Sequence, residues 1–223
     1  MLISILLPTR NRPEWLPRAI ASVLAQTYAS WELILLDNSD ERQYDPDDPP
    51  GRLRAGNSIR YAYISQAPLH VLYEVALNAA RGELVCHFAD DDELPPWALE
   101  TAAREIGDAD WLVGTTEIRD AAGNVITTRG GCREALERTK AGEYWLGGGV
   151  YWRKSLSDRV GGYDPRFDGA ADFDLFLRFA AESDPAFTPE VLYWYTDHPA
   201  TDSRLRPGNQ ARMSQLIAEK HRR

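Results

Sequence analysis

The sequence predicts an α/β fold built on a mainly parallel sheet that becomes mixed towards its end. Three observations predict it. Short continuous apolar runs at Leu2–Leu7, Leu33–Leu36 and Leu84–Ala89 read as strands covered on both faces. The first two runs lie about 30 residues apart, the length of a βαβ unit, and a helical pattern fills the interval. From Trp111 onwards the strands are shorter and separated by glycine turns, as expected where antiparallel strands join a parallel sheet.

Taken in order, Leu2–Leu7 is the first strand and Pro8 ends it. Thr9-Arg10-Asn11-Arg12-Pro13 is a turn in which Asn11 can cap a helix whose first turn carries Pro13. Leu16, Ile20, Val23 and Leu24 then recur at helical spacing. Leu33–Leu36 is the second strand and runs into Asp37-Asn38-Ser39-Asp40. Residues 41–57, rich in Asp, Pro and Gly, form a loop. Ile59–Ile64 alternates as a third strand, and Leu72, Val75 and Ala79 space a helix that stops at Gly82. Leu84–Ala89 runs into Asp90-Asp91-Asp92-Glu93, and Pro95-Pro96 starts a helix through Ile106. Trp111–Thr116 and Val125–Thr128 are short strands around Ala122-Gly123-Asn124. Asp172–Glu182 is an amphipathic helix with Phe173, Phe176, Leu177 and Ala180 on one face.

Composition narrows the function. In 223 residues, 43% hydrophobic and 26% charged side chains are ordinary globular values and exclude disorder or a fibrous repeat. The 25 Lys+Arg against 34 Asp+Glu leave a net charge of −9, which argues against a nucleic-acid-coating protein. Two cysteines, Cys86 and Cys132, and no signal-peptide pattern make the cytoplasm the expected compartment. No apolar run reaches the roughly 18 residues a membrane span needs. G-x-G-x-x-G after the first strand, G-x-x-x-x-G-K-[ST] and G-x-S-x-G are all absent from the chain.

The most specific chemistry sits at strand ends. Side chains alternate along an extended segment, so Asp90 and Asp92 are expected on one side and Asp91 on the other. Open α/β sheets place ligands beyond the carboxyl ends of their strands, where Asp37 and Asp90–Asp92 both fall. Carboxylates gathered there repel one another and any anionic substrate. A divalent cation such as Mg²⁺ or Mn²⁺ removes the conflict by binding one or two of them together with substrate phosphate oxygens. A solvated acidic turn capping the next helix is the plain alternative. Asp172, after Gly169-Ala170-Ala171, is either an N-cap or a general base with open approach to a hydroxyl. His198 is either a surface residue or a metal or diphosphate contact. Arg10, Arg12, Arg204 and Arg206 are solvated or clamp phosphate. Trp145, Trp152 and Trp194 either pack or stack on a sugar ring, and Gly147-Gly148-Gly149 is a loop or a close approach to an acceptor.

Read in order, three segments resemble glycosyltransferase family 2, the inverting, metal-dependent enzymes of GT-A fold. They are SILLPTRNRPEWLPRAIASVLAQTYASWELILLDNSDE from Ser4, RGELVCHFADDDELPP from Arg81 and GGGVYWRKSLSDRVGGYDPRFDGAADFDLFLRFA from Gly147. The resemblance covers about residues 3–205. It implies a single GT-A domain over 1–203, with a Rossmann-like nucleotide-sugar half at 1–93 and an acceptor half at 94–203. It also implies that Pro8, Thr9, Arg10 and Arg12 line the nucleotide, that Asp37 bonds the base, and that Asp90 and Asp91 contact the donor. Asp90 and Asp92 match the ends of D-x-D, with Asp92 the direct metal ligand, Asp90 nearer the ribose and His198 a further ligand. Asp172 falls where the family has its general base. Two departures stand out: Ala171 replaces the usual Glu, and Leu72-Tyr73-Glu74 stands in place of the Ala-Arg-Asn run.

The implied reaction moves a sugar from a nucleotide-diphosphate donor, a UDP-sugar by family habit, to a hydroxyl on a glycan, lipid-linked or small-molecule acceptor. The competing readings are a metal-dependent nucleotidyltransferase and a catalytically inactive nucleotide- or carbohydrate-binding module. Residues 204–223 carry six basic residues and one acid. They read as a helical tail that docks on the domain, self-associates as a homodimer or touches an anionic membrane surface.

Overall fold

The computed structural model describes residues 1–45, 56–167, 169–201 and 208–221, with 209–211 as backbone only. The elements in chain order begin β1 (Ile3–Thr9), α1 (Leu16–Leu24), β2 (Trp31–Asp37), β3 (Ser58–Tyr63), α2 (Leu69–Ala79), β4 (Leu84–His87) and α3 (Ala98–Glu105). They continue β5 (Trp111–Asp120), β6 (Val125–Gly130), α4 (Arg133–Lys140), β7 (Val150–Arg153), α5 (Lys154–Val160), a 3₁₀ turn at Pro165–Phe167, α6 (Ala171–Glu182), β8 (Ala186–Asp197) and α7 (Asn209–His221).

All eight described strands join one sheet in the order β3-β2-β1-β4-β7-β5-β6, with β8 paired to β5. The pairs β1/β2, β1/β4 and β2/β3 are parallel. Strand β7 is antiparallel to both β4 and β5, and β6 is antiparallel to β5. Strand β8 runs parallel to β5 along nearly its whole length. The sheet is thus mainly parallel in its first half and mixed in its second, as the change in patterning at Trp111 predicts.

The continuous apolar runs are explained by two cores. Ile3, Ile5, Leu7, Leu33 and Leu35 face a layer that includes α1 and α3, while Leu6, Ile34 and Leu36 face α2, α5 and α6. Each strand is covered on both sides, so both sets of alternate positions are largely apolar, and the buried polar pair Ser4 and Glu32 is hydrogen-bonded. Gly82 is required where the chain enters β4. A Cβ there would lie 2.7 Å from the Ser4 backbone nitrogen and 2.8 Å from the Leu2 carbonyl. The Gly82 N–H instead donates to Ser4 Oγ at 2.8 Å, and Ser4 donates to the buried Glu32 carboxylate at 2.7 Å.

Several expectations need correction. Helix α1 begins at Leu16 with Trp15 as its N-cap and Pro17 in the first turn, so Asn11 does not cap it. Asn11 has a left-handed φ of 52° and cross-links the turn instead, donating to Asp40 and accepting from the Asp40 N–H. Helices α4 and α5 and strand β8 carry no assignment in the sequence pattern. Helix α4 is short and mostly polar, and β8 contains Pro189 and a continuous rather than alternating apolar stretch. Helix α7 lies against α6, with Ile217 buried among Phe167, Phe173 and Leu177. Lys220 Nζ donates to Asp174 at 2.6 Å and to Asp164 at 3.0 Å, and His221 Nε2 lies 2.9 Å from Asp174. The described part of the basic tail is therefore docked on the domain.

Candidate active site

Strands β2 and β3 lie on one side of β1 and β4 lies on the other, so the strand order reverses between β1 and β4. Ligands of open α/β sheets bind outside the carboxyl ends of the strands at such a reversal. The two chain segments there are Thr9–Arg12 after β1 and Phe88–Glu93 after β4. Because β4 ends at His87, the three aspartates lie in a turn, and the alternation expected of an extended strand does not apply.

Each aspartate consequently has its own environment. Asp90 Oδ2 accepts from Thr9 Oγ1 at 2.7 Å and from the Arg10 N–H at 3.3 Å. Burial, with the Asp91 charge beside it, pushes the Asp90 carboxyl up to about 6 against the opposing Thr9 hydrogen bond. Asp91 Oδ2 pairs with Arg12 Nη1 at 2.5 Å and lies 3.2 Å from His198 Nε2. Asp92 is 3% exposed, and both its oxygens are taken: Tyr193 donates at 2.7 Å and the Thr196 N–H at 2.8 Å. Burial, followed by the Asp91 charge, pushes Asp92 well above the carboxylate range. A backbone bridge between Glu93 and Trp194 fixes the acidic turn to β8, which is why β8 belongs to the site.

His198 is buried rather than a surface residue, and its ring stacks on Trp15 with centroids 4.1 Å apart. Trp15 carries no signal of this kind in the sequence; only its position just before α1 places it there. Pro8 is buried in β1, Thr9 bonds Asp90 as described, and the Arg10 side chain is exposed. Asp37 is fully buried, and its oxygens accept from the Ser39 N–H at 3.0 Å, the Gln43 N–H at 2.6 Å and Tyr61 at 3.1 Å. In this arrangement it pins the loop after β2. Arg204 and Arg206 lie outside the described residues.

Asp172 stands in the first turn of α6, where the N-cap position belongs to Ala170. It is therefore not the N-cap. Its Oδ1 accepts from the neighbouring Phe173 N–H at 2.9 Å, and its Oδ2 accepts from the Tyr144 hydroxyl. His87 Nε2 is 4.0 Å from the same oxygen. Burial lowers the His87 pKa, opposed only in part by Asp172, so the imidazole is held neutral at pH 7. Its ring stacks on Phe176, and its Nδ1 has no partner. Tyr73 lies edge-on to His87 and stacks on Tyr163. Its hydroxyl is pushed well above 10 by burial and then by Asp172, Asp90, Asp91 and Asp92 in that order. One half-buried phenol thus lies in the field of both acidic centres, and it stands in place of the Ala-Arg-Asn run.

The tryptophans and glycines resolve as packing. Trp152 is buried against Phe176 and Phe179, Trp194 lies under Arg119, and Trp145 lies under Arg138. A Cβ at Gly148 would sit 2.3 Å from the Tyr193 ring, and one at Gly147 2.8 Å from Arg129 Nη2. The glycine run makes room for side chains of this chain.

Among the described residues, no group of three or more His, Cys, Asp and Glu could hold a metal unaided. Asp91 and His198 do suit a cation that takes its remaining ligands from substrate. Adjacent ligands of an octahedral ion at about 2.1 Å lie about 3 Å apart, close to the 3.2 Å observed between Asp91 Oδ2 and His198 Nε2.

An open sheet of this order, flanked by helices and carrying an acidic turn at its switch point, is the GT-A architecture of sugar-nucleotide-dependent glycosyltransferases. The chain belongs to glycosyl transferase family 2, whose family model matches residues 4–152, and it is accordingly a glycosyltransferase. It is similar to the uncharacterized glycosyltransferase YwdF of Bacillus subtilis, at 24% identity over 99% of this chain and 84% of that protein. It also resembles the putative colanic acid biosynthesis glycosyl transferase WcaA of Escherichia coli, at 35% identity over 43% of this chain and 34% of WcaA. Among solved structures, S. aureus TarS 1-349 in complex with UDP-GlcNAc superposes with a TM-score of 0.76 at 18% identity. That match covers 99% of this chain and 66% of the TarS chain. The mannosyltransferase PcManGT from Pyrobaculum calidifontis, in complex with GDP-Man and Mn²⁺, gives a TM-score of 0.71 at 18% identity, over 99% of this chain and 64% of that one. The chain thus spans just under two thirds of these structural neighbours. No described helix is long and apolar enough to cross a membrane.

Proposed function

We propose that the protein transfers a sugar from a nucleoside-diphosphate donor to an acceptor hydroxyl in one inverting displacement, with Asp172 as general base. The observation that carries this reading is that both acidic centres meet at the end of β4: the aspartate turn follows His87 in the chain, and Asp172 Oδ2 lies 4.0 Å from His87 Nε2. The structural neighbours that hold UDP-GlcNAc or GDP-Man with Mn²⁺ support a nucleotide-sugar donor and a divalent cation.

Asp91 and His198 would hold the cation in preference to Asp92, because Asp91 meets Arg12 and His198 through Oδ2 whereas both Asp92 oxygens are bonded to β8. When bound, the cation supplies Lewis-acid stabilisation of the diphosphate charge. Asp92 then serves to anchor the turn to β8, and Asp90 orients Thr9 and the Arg10 backbone. Arg12, paired with Asp91, is within reach to share the diphosphate charge. On the other side, the Tyr144 hydroxyl and the Phe173 N–H orient Asp172, and a neutral His87 adds no opposing positive charge beside it. The acceptor oxygen attacks the anomeric carbon while the bond to the diphosphate oxygen breaks. The hydroxyl proton passes to the Asp172 carboxylate.

The test is incubation with UDP-, GDP- and dTDP-sugars and Mn²⁺, with and without acceptors, following nucleoside diphosphate release. Slow release without acceptor is expected. Asp172→Asn should lower transfer by about 10²–10⁴-fold, the scale of general-base catalysis, with donor affinity nearly unchanged. Pyrophosphate release from nucleoside triphosphates would establish nucleotidyl transfer instead, and donor binding without release would establish a binding module.

A further inference from the structure

Among the described residues two stacked arginines have no carboxylate partner: Arg42, which lies exposed over Tyr63, and Arg129, which is half-buried. Arg18, Arg119, Arg133, Arg138 and Arg166 each lie over an aromatic ring, and each also pairs with a carboxylate, from Glu93, Glu117, Asp184, Glu143 and Asp164 respectively. Arg129, at the end of β6, lies 5.5 Å from the Tyr144 ring centroid and 5.7 Å from that of Tyr195. No described carboxylate lies within ion-pair distance of it. Its hydrogen bonding amounts to a 3.5 Å contact from Nη1 to the Tyr144 carbonyl, and its Nε is buried without an acceptor. The guanidinium packs against Gly147, where a Cβ would lie 2.8 Å from Nη2.

A half-buried charge held between two rings costs desolvation that those contacts and one 3.5 Å hydrogen bond offset, while its Nε keeps no acceptor among the described residues. The same planar fork is suited to a carboxylate or phosphate, which it can grip with two parallel hydrogen bonds. Its location specifies which molecule. Tyr144 touches Arg129 with its ring and Asp172 with its hydroxyl, so one tyrosine separates the guanidinium from the base.

We propose that Arg129 forms an anion subsite of the acceptor, binding a carboxylate or phosphate carried about one tyrosine's length from the hydroxyl that Asp172 deprotonates. This rests on the reading of Asp172 as the base. The acceptor class it selects is an acidic sugar or a polyol phosphate rather than a neutral glycan. Tyr144 then couples recognition to chemistry, because it lines the anion site and orients the base at once.

The test reads Arg129 directly in the full-length protein labelled with ¹⁵N-arginine. The Arg129 Nε–Hε resonance is assigned by its loss in Arg129→Lys and followed during titration with sodium glucuronate, glycerol 3-phosphate, glucose and glycerol at constant ionic strength. A saturable shift with at least one anion and none with its neutral counterpart is expected, and which anion binds separates the carboxylate from the phosphate source. No saturable shift with either anion up to about 50 mM, or equal shifts with the neutral partners, would overturn the proposal. In a transfer assay, the acidic member of each pair should stimulate nucleoside diphosphate release about tenfold more than the neutral one, with the preference lost in Arg129→Gln. Acceptor-free donor hydrolysis on the same preparation reads the transferase assignment separately. Its absence alongside a saturable anion shift would sink that assignment and leave the anion site standing.

Discussion

Replacing Tyr193 by Phe should destabilise the protein by about 3 kcal/mol while leaving the shape of the core intact. The hydroxyl is the joint between β8 and the acidic turn. It donates to Asp92 Oδ2 at 2.7 Å and accepts from the Ala89 N–H at 3.1 Å, and Asp92 is buried. Removing it strands one buried acceptor and one donor, each costing about 1–3 kcal/mol. Asp92 can soften its share by taking up a proton, because burial has already raised its pKa, so the expected total lies in the lower half of the summed range. With a urea m-value of about 2–3 kcal/mol/M, the unfolding midpoint should fall by about 1 M. The melting temperature should fall by about 6–12 °C on the scale of 2–4 °C per kcal/mol for a chain of this size. Circular dichroism in urea reads the loss directly. Gly148→Ala, which forces a Cβ into the same ring, should act in the same direction from the opposite side. A Tyr193→Phe midpoint within 0.2 M of wild type would refute the idea that β8 holds the acidic turn through this hydroxyl.

Other outcomes follow from the same geometry. Asp91→Asn and His198→Ala should each abolish the Mn²⁺-dependent part of nucleotide binding measured by calorimetry, and equal binding with and without Mn²⁺ in wild type would refute their assignment. Without metal, Asp90 and Asp92 have folded pKa values raised above the unfolded one of about 3.9. Their burial therefore costs most near neutrality, and the melting temperature of the metal-free protein should rise as pH falls from about 7 to 5. Saturating Mn²⁺ at pH 7.5 should remove most of that gain. Asp174 behaves oppositely. Despite its burial, hydrogen bonds from Lys220 and His221 and the Arg178 charge lower its pKa. Its contribution is full above about pH 4–5 and is lost as pH falls through the folded value, so protease cleavage of α7 should appear first in acid. Asp174→Asn should expose α7 at pH 7 as well, and equal resistance to cleavage in that variant would remove Asp174 from the dock.

Much of the fold was legible because β1, β2 and β4 are buried on both faces, and a double-sided strand leaves a run of apolar residues that nothing else produces at such length. Helices α4 and α5 escaped because short polar segments owe their helicity to packing on the sheet rather than to a pattern of their own. Strand β8 escaped because its pairing with β5 is contributed by the partner, and Pro189 obscures it. Chain order was enough to place Asp90–Asp92 and Asp172 at the right elements.

What order could not supply was the direction of each carboxylate, since that depends on β4 stopping at His87. Had the strand run three residues further, Asp90 and Asp92 would share a side. By turning early, the chain sends the three carboxylates to three different partners: Thr9 on β1, His198 after β8, and Tyr193 within β8. A run of like charges is thereby divided among three partners, and Asp91, which faces an imidazole, is the one proposed to hold a cation. Arg129 makes the complementary point. Its charge is ordinary in the sequence, and its significance arises from what the fold withholds from it: a carboxylate, in a chain whose acids outnumber its Lys and Arg by 34 to 25. Where counter-ions are so plentiful, a half-buried arginine left without one among the described residues, one tyrosine from Asp172, fits the proposed role of receiving a ligand's anion.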